Sequence, residues 1–301
     1  MPKRTPFVRY KLIIERLQSG RRPSLQDLQR HLEENNYPIS TRGILRDIET
    51  LNANFDIEIV YVRKGNFYYI EEKSSPGLSA ALAYLEMAQA ADTFIETFKD
   101  LKDLSKYVAF EYQDLVKGTE HLPTLLDAMK SEGTVALWHS TFQDQEVKRY
   151  AFSPQLLKQY QGRWYAIGAV SGIDKPMAFG LDRIHRIEAI PGSPRAGRLD
   201  LSGYEDVIGV SLPEGEPVEV RFIATSLQAR YLEALPLHRS QRVVARKEDG
   251  VEFSLRLIPN YELTQELLKL GDSVQVLSPP SLVGKLREIL EKSLEKSKIA
   301  T

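Results

Sequence analysis

Over the first seventy residues the apolar positions repeat at helical spacing. Phe7, Tyr10, Leu12, Ile13 and Leu17 form one run, which Gly20 closes. Ser24 stands where it can cap a second helix, with Asp27 three residues on as a capping-box partner. Leu25, Leu28 and Leu32 supply that helix's buried stripe. The turn ENNYPI follows, and Ser40 can cap a third helix, TRGILRDIETL, with Ile44, Ile48 and Leu51 facing inward. The period then falls to two: IEIVYV, a basic turn RKGN and FYYI predict a β-hairpin. KSSPG at 73–77 has the composition of a linker. Residues 78–98 predict a long helix with a stripe of Leu82, Leu85, Ala88 and Ala91, and further amphipathic stretches cover 101–117 and 122–132. From 134 the chain turns to short β-type runs: TVALWHSTF, EVKRYAFS, QLLKQYQ, GRWYAIGAV and KPMAFGLDRI.

Length and composition narrow what these elements can be. A chain of 301 residues predicts two or three domains. Its 42% hydrophobic and 27% charged content is that of a globular protein. The apolar stretches are too short to span a membrane, and the basic N-terminus lacks the apolar run of a signal peptide. The absence of cysteine removes disulfides, thiolate metal sites and thiol nucleophiles, and fits a cytoplasmic location. Net charge is −1, so any nucleic-acid surface must be local. Residues 1–50 hold ten Lys or Arg against six Asp or Glu, which places that surface at the N-terminus.

Three helices followed by a hairpin predict a winged helix-turn-helix. Its third helix would enter a major groove with Ser40, Thr41, Arg42 and Arg46 toward the DNA, the two arginines sharing a face at i,i+4. Arg63 and Lys64 at the hairpin tip would reach phosphate or the minor groove. A three-helix interaction domain with a solvated basic face is the plainer alternative. The order of elements, with the arginines on the third helix, favours DNA.

FSPQLLKQYQGRWYAIGAV, followed by AFGLDRIHRIE, resembles the WYL domain of bacterial transcription regulators. Arg163, Trp164 and Tyr165 match the family's triplet and its preceding arginine, whereas Ala166 stands where the family has Leu. Ser153 precedes Pro154 where many relatives have His. The pieces PLHRSQ, PNYEL and GDSVQVLSP, within the stretch that begins PVEVRFIA, resemble the C-terminal extension of these regulators. The resemblance implies an α+β multidomain fold: a winged helix-turn-helix at 1–73, a helical linker or dimerisation region at 74–132, a Sm- or SH3-like β-barrel that senses an effector at 133–200, and an α/β extension module at 201–301. It also implies a DNA-binding repressor, in settings such as phage defence or DNA damage.

On a strand, Trp164, Ala166 and Gly168 share one face and Arg163, Tyr165 and Ile167 the other. Trp164 is assigned to packing. Arg163 and Tyr165 are left on a face that can hold a ligand, with Arg183 of LDRI at a strand end directed to the same groove. Arg149, His139 and Ser153 occupy positions similar to polar positions of the family. Arginine forks bind phosphate bidentately and tyrosine stacks on a base, so the expected ligand is anionic: a nucleotide or a short single-stranded nucleic acid. His139 could equally be a satisfied structural histidine, and Arg183 could simply pair with Asp182. His185 and His238 are expected to be structural. His238, Arg239 and Arg242 form a second basic patch, one that could close over the pocket from a partner subunit.

No catalytic signature is present: there is no Walker loop, GxGxxG, HExxH or GxSxG, and the five histidines are dispersed. No enzyme, cofactor or metal is expected. The expected partners are double-stranded DNA with an inverted-repeat operator, a nucleotide or single-stranded effector, and a second copy of the chain, with no membrane. The competing reading is an accessory protein that acts away from promoters and uses its β modules to bind nucleic acid or a protein.

Overall fold

A computed structural model describes residues 6–75, 77–97, 117–194 and 196–299. The chain divides into two compact units, Met1–Glu111 and Tyr112–Thr301.

The first unit is built by local signals. Helices α1 (Phe7–Gln18), α2 (Leu25–Glu34) and α3 (Thr41–Phe55) lead into an antiparallel hairpin, β1 (Ile59–Val62) and β2 (Phe67–Ile70). The capping box at α2 is complete. Ser24 Oγ accepts from the Asp27 N–H at 3.2 Å, and the Ser24 N–H donates to Asp27 Oδ2 at 3.0 Å. α3 ends at Asp56, which takes the left-handed conformation at φ 53°. The helical stripes meet in one core of Ile13, Ile14, Leu28, Leu32, Ile44 and Leu51, all fully buried. Each such side chain stabilises the fold by roughly 1.5–3 kcal/mol through burial. The Arg9 guanidinium donates twice to Asp47, at 2.8 and 3.1 Å, and fixes α1 to α3.

Two expectations need correction here. The segment read as a linker is a packed corner: Ser75 is buried, accepts from the Glu58 N–H at 2.8 Å and donates to the Glu71 carbonyl at 2.8 Å. The helix after it, α4 (Leu78–Thr97), belongs to the first core. Leu78, Ala81 and Leu85 are buried against it, while Ala91, expected on the apolar stripe, is exposed. The stretch expected to be amphipathic at 101–117 lies, but for Lys117, outside the described residues.

Among the described residues of the second unit, a 3-10 turn, Thr119–His121, leads into α5 (Leu122–Lys130), which packs on a five-stranded antiparallel sheet. The strands are β3 (Gly133–His139), β4 (Lys148–Tyr160), β5 (Arg163–Val170), β6 (Ile173–Gly180) and β7 (Ile184–Pro194), in the order β6-β5-β4-β3-β7. The two runs expected as separate strands before GRWYAIGAV are a single β4, bulged between Pro154 and Leu156. Gly168 lies opposite that bulge; a Cβ there would stand 2.1 Å from the Ser153 carbonyl oxygen, so only glycine lets β4 and β5 approach. Leu125, Val135, Leu137, Phe152, Ala166 and Leu181 form the core, with Trp164 packed on its edge.

A second antiparallel sheet follows. Its strands are β8 (Val218–Ala224), β9 (Arg242–Lys247), β10 (Gly250–Leu257) and β11 (Val274–Ser278), ordered β11-β8-β10-β9. Helix α6 (Ser226–Ala234) joins β8 to β9, α7 (Tyr261–Lys269) joins β10 to β11, and α8 (Pro280–Ile299) closes the chain. This is the βαββαβ arrangement, with Phe222 and Phe253 stacked at its centre, 5.4 Å between ring centroids. None of the described helices is long and apolar enough to cross a membrane.

Candidate functional site

Two surfaces carry the residues singled out by the sequence. On the first unit, Ser40 caps α3 by accepting from the Gly43 N–H at 3.2 Å, so its hydroxyl holds the helix start. Thr41 is half-buried beside it, and Arg42 and Arg46 stand exposed one turn apart. Neither arginine makes an ion pair among the described residues, whereas Asp47, on the inner face of the same helix, is tied to Arg9. Arg63 and Lys64 are exposed in the hairpin turn. Sequence reasoning passed over Arg22, whose guanidinium stacks 5.1 Å from the Phe67 ring centroid and adds a cation beside the hairpin.

The second surface lies at one corner of the five-stranded sheet. After β6 the chain makes a 3-10 turn, Leu181–Arg183, so Arg183 is on a tight turn and not at the strand end expected. A Cβ on Gly180 would meet Arg183 Nη2 at 2.2 Å; the glycine is what allows the guanidinium to lie against the strand. Tyr165 pairs directly across from Gly180, so the two share the face of the sheet turned away from Ala166 and Phe179. Asp182 sits 3.5 Å from Arg183 Nε and 3.8 Å from Arg163 Nη1, loose distances for carboxylate pairing. Beneath them His139, 4% exposed, packs edge-on to Phe179. Burial, followed by the nearby Arg183 charge, lowers the His139 pKa to about 4, against an opposing hydrogen bond to the Gly180 backbone. Three buried polar atoms here have no hydrogen-bond partner among the described residues: His139 Nε2, Asp182 Oδ1 and Arg183 Nε. Two of the three, Asp182 Oδ1 and Arg183 Nε, are the atoms of the loose 3.5 Å ion pair, so the corner holds polar groups whose bonding is incomplete.

Two expected members are elsewhere. Arg149 pairs across from Trp138 and therefore shares its face, opposite to that of His139. There Trp138 lies between two guanidiniums, Arg149 at 5.4 Å and Arg186 at 4.9 Å from the ring centroid. Ser153 is fully buried, bonded to Thr134 Oγ1 at 2.7 Å and accepting from the Ala196 N–H at 2.9 Å, which makes it a fastener within the fold. The member that sequence reasoning missed is Phe142. It is 67% exposed on the turn after β3, with the Arg183 guanidinium 4.4 Å and the Arg163 guanidinium 5.7 Å from its ring centroid. Its signal was a lone aromatic in the polar run STFQDQE. His185 is exposed and bonds Ser140 Oγ at 2.8 Å. The LHRSQ patch is committed within its own chain: His238 Nε2 bonds the Glu205 carbonyl at 2.9 Å and Arg239 donates to the Glu205 carboxylate at 2.6 Å.

Family models match this unit twice, a WYL domain over residues 120–189 and a WCX domain over residues 214–294. The chain belongs to the WYL-domain proteins. No curated protein matches it. Among solved structures it is similar to proteasome accessory factor B/C (PafBC) of Arthrobacter aurescens, at 16% identity and a TM-score of 0.28, over 98% of this chain and 49% of that one. The chain thus spans about half the length of that structure. A crystal structure of a CRISPR Cas-related protein is similar at 11% identity and a TM-score of 0.38, over 98% of this chain and 84% of that one.

Between the WYL and WCX matches runs a strap that bonds to both. Lys158 of the WYL sheet donates to the carbonyls of Tyr204 and Val207 at 2.8 and 3.3 Å. Glu262, at the start of α7 in the WCX domain, accepts from the Val210 and Ser211 N–H groups at 3.0 and 2.9 Å. Ile167, Tyr204, Val207 and Ile258 form a small core between them. Tyr160 adds a direct bond, its hydroxyl donating to Glu266 at 2.8 Å.

Proposed function

We propose that this protein is a DNA-binding transcriptional regulator whose affinity for its operator is set by an anionic ligand at the WYL domain. The observation that carries the DNA half is the pair Arg42 and Arg46, exposed on α3 and without an ion pair among the described residues, in a unit that also exposes the basic turn of the hairpin. In this reading helices α1 to α3 and the hairpin are a winged helix-turn-helix, with α3 in the major groove and Arg63 and Lys64 on the backbone. The five-stranded WYL sheet, with register shifts in its β3–β7, β4–β5 and β5–β6 pairings, takes the part of the small barrel expected for the family. The ligand half rests on the corner of Arg163, Tyr165 and Arg183 over His139, where Arg183 Nε and Asp182 Oδ1, 3.5 Å apart, form only a loose ion pair and make no hydrogen bond among the described residues. Binding of an anion there alters DNA affinity only in so far as it favours one conformation of the chain over another. The protein acts as a homodimer on an inverted repeat, since one winged helix makes few base contacts. No chemistry is assigned to it; it binds and does not catalyse.

The test is a mobility shift with the DNA upstream of the protein's own gene, beside random DNA of equal length, together with light scattering. A dimer-spaced protected palindrome is the expected result. Equal affinity for both DNAs at all salt concentrations, or a monomer at micromolar concentration with and without DNA, overturns the reading.

A further inference from the structure

We infer that the hairpin of β4 and β5 is the joint through which the WYL domain acts on the WCX domain, with Glu266 of α7 as its catch. The inference rests on the proposed anion site for its input, and it names the element that carries occupancy of that site out of the WYL sheet.

The hairpin crosses the boundary between the two matched domains. Tyr160 and Arg163 pair at its end, so Gln161 and Gly162 alone make the turn. Both take the left-handed conformation, at φ 47° and 77°, as a tight two-residue hairpin turn requires. Gln161 lacks a glycine's freedom there, and its side chain supplies the reason. The amide donates to Glu266 Oε1 at 2.8 Å and to the Tyr160 hydroxyl at 3.0 Å. Tyr160 donates to the same Glu266 oxygen at 2.8 Å, and it packs against the core that holds Phe222 and Phe253. Two neighbouring residues of one turn therefore converge on one carboxylate oxygen of the other domain. Lower on the same hairpin, Lys158 stands opposite Tyr165 and grips the strap carbonyls of Tyr204 and Val207.

The residue that follows the turn is Arg163, a cation of the anion corner. A two-residue turn has no slack, so whatever fixes Tyr160 also fixes Arg163 across from it. Fixed there, Arg163 is exposed and its Nη1 stops 3.8 Å from Asp182. An anion held between Arg163 and Arg183 draws Arg163 inward, while the clasp on Glu266 holds it out. The two oppose each other: occupancy loosens the clasp, and by linkage release of the clasp tightens the anion by the same factor.

The experiment is calorimetric titration of the full-length protein with inorganic phosphate, beside amide exchange of α7 with and without phosphate. Tyr160→Phe and Glu266→Gln weaken the clasp. Lys269→Gln removes the third donor to Glu266, 2.8 Å away, without touching the hairpin. Each variant is checked by urea unfolding. Tyr160→Phe and Glu266→Gln should bind phosphate on the order of fivefold more tightly than wild type, and Lys269→Gln within about twofold of it. Phosphate should speed exchange in α7 of the wild type. If Glu266→Gln fails to fold, Tyr160→Phe, which loses one hydroxyl, carries the test. If the clasp variants bind phosphate like wild type, or phosphate leaves α7 exchange unchanged, the joint is refuted while the anion site stands. Weaker phosphate binding in the clasp variants overturns the opposition and makes the clasp a prop of the site. If wild type binds no phosphate, the anion site itself fails and the inference falls with it.

Discussion

Acidification probes the buried corner under Arg183 quantitatively. His139 is neutral in the fold because burial and the Arg183 charge bring its pKa down to about 4. In the unfolded chain the same imidazole titrates near 6.5. The unfolded state therefore binds the proton first as pH falls, so stability present above about pH 6.5 is lost progressively toward pH 4. At pH 5 the unfolded imidazole is almost fully protonated and the folded one about a tenth so. The difference amounts to about 2 kcal/mol of stability lost between pH 8 and pH 5. Carboxylates titrate over part of this range, so the reading is the difference between wild type and His139→Gln, which keeps a donor for the Gly180 carbonyl and cannot ionise. The chain's two tryptophans, Trp138 and Trp164, both lie in the WYL sheet, so their fluorescence during urea unfolding reports this sheet. Urea is uncharged and leaves the electrostatics unscreened. The wild type should lose about 2 kcal/mol more than His139→Gln over that pH interval. Parallel loss in the two proteins would refute a neutral, buried His139.

Other outcomes follow from the same geometry. Arg42→Ala and Arg46→Ala should each weaken specific DNA by about 1–3 kcal/mol, whereas Arg63→Ala should weaken specific and random DNA alike and lower the salt slope by about one, as anisotropy titrations at several salt concentrations would show. Asp47→Ala leaves Arg9 half-buried without its carboxylate and should destabilise the first unit by roughly 2–3 kcal/mol, with Arg9→Met/Asp47→Leu recovering most of the loss; amide exchange in α1 and α3 would register both. Gly180→Ala needs no new backbone angle at φ −67°, but its Cβ displaces Arg183; phosphate binding should fall at least tenfold while the urea midpoint changes little. A loss of fold in that variant would mean Arg183 is a structural prop.

The first unit was largely legible because its signals are local. Ser24 and Asp27 are three residues apart and cap as expected, and the stripes of α2 and α3 bury the leucines and isoleucines named from spacing. The tie between Arg9 and Asp47 was not legible, since the partners lie 38 positions apart and each alone reads as a surface charge. In the WYL sheet, alternation correctly turned Trp164 and Ala166 to the core and left Arg163 and Tyr165 on the other face. It could not place Arg149, because the face of a residue on β4 depends on its pairing with β3, and the pair with Trp138 puts it on the outer side. Ser153 looked like a ligand contact, yet its partners Thr134 and Ala196 come from 19 and 43 residues away. Phe142 was missed because an exposed aromatic in a turn has no period; only the fold shows the arginines beneath it.

The strap between the two matched domains bears on how such proteins can be recombined. The matches end at residue 189 and resume at residue 214, so the intervening stretch invites use as a neutral splice point. It is keyed to both sides: Tyr204 and Val207 rest on Lys158 and Ile167 of one sheet, while Val210 and Ser211 are held by Glu262 of the other. A chimaera that takes its WCX half from a relative inherits a strap cut for a different sheet, wherever in this stretch the join is made. Exchange of effector modules with retained signalling would require Leu156, Lys158 and Ile167 to travel with the graft, which makes the unit of exchange larger than either domain.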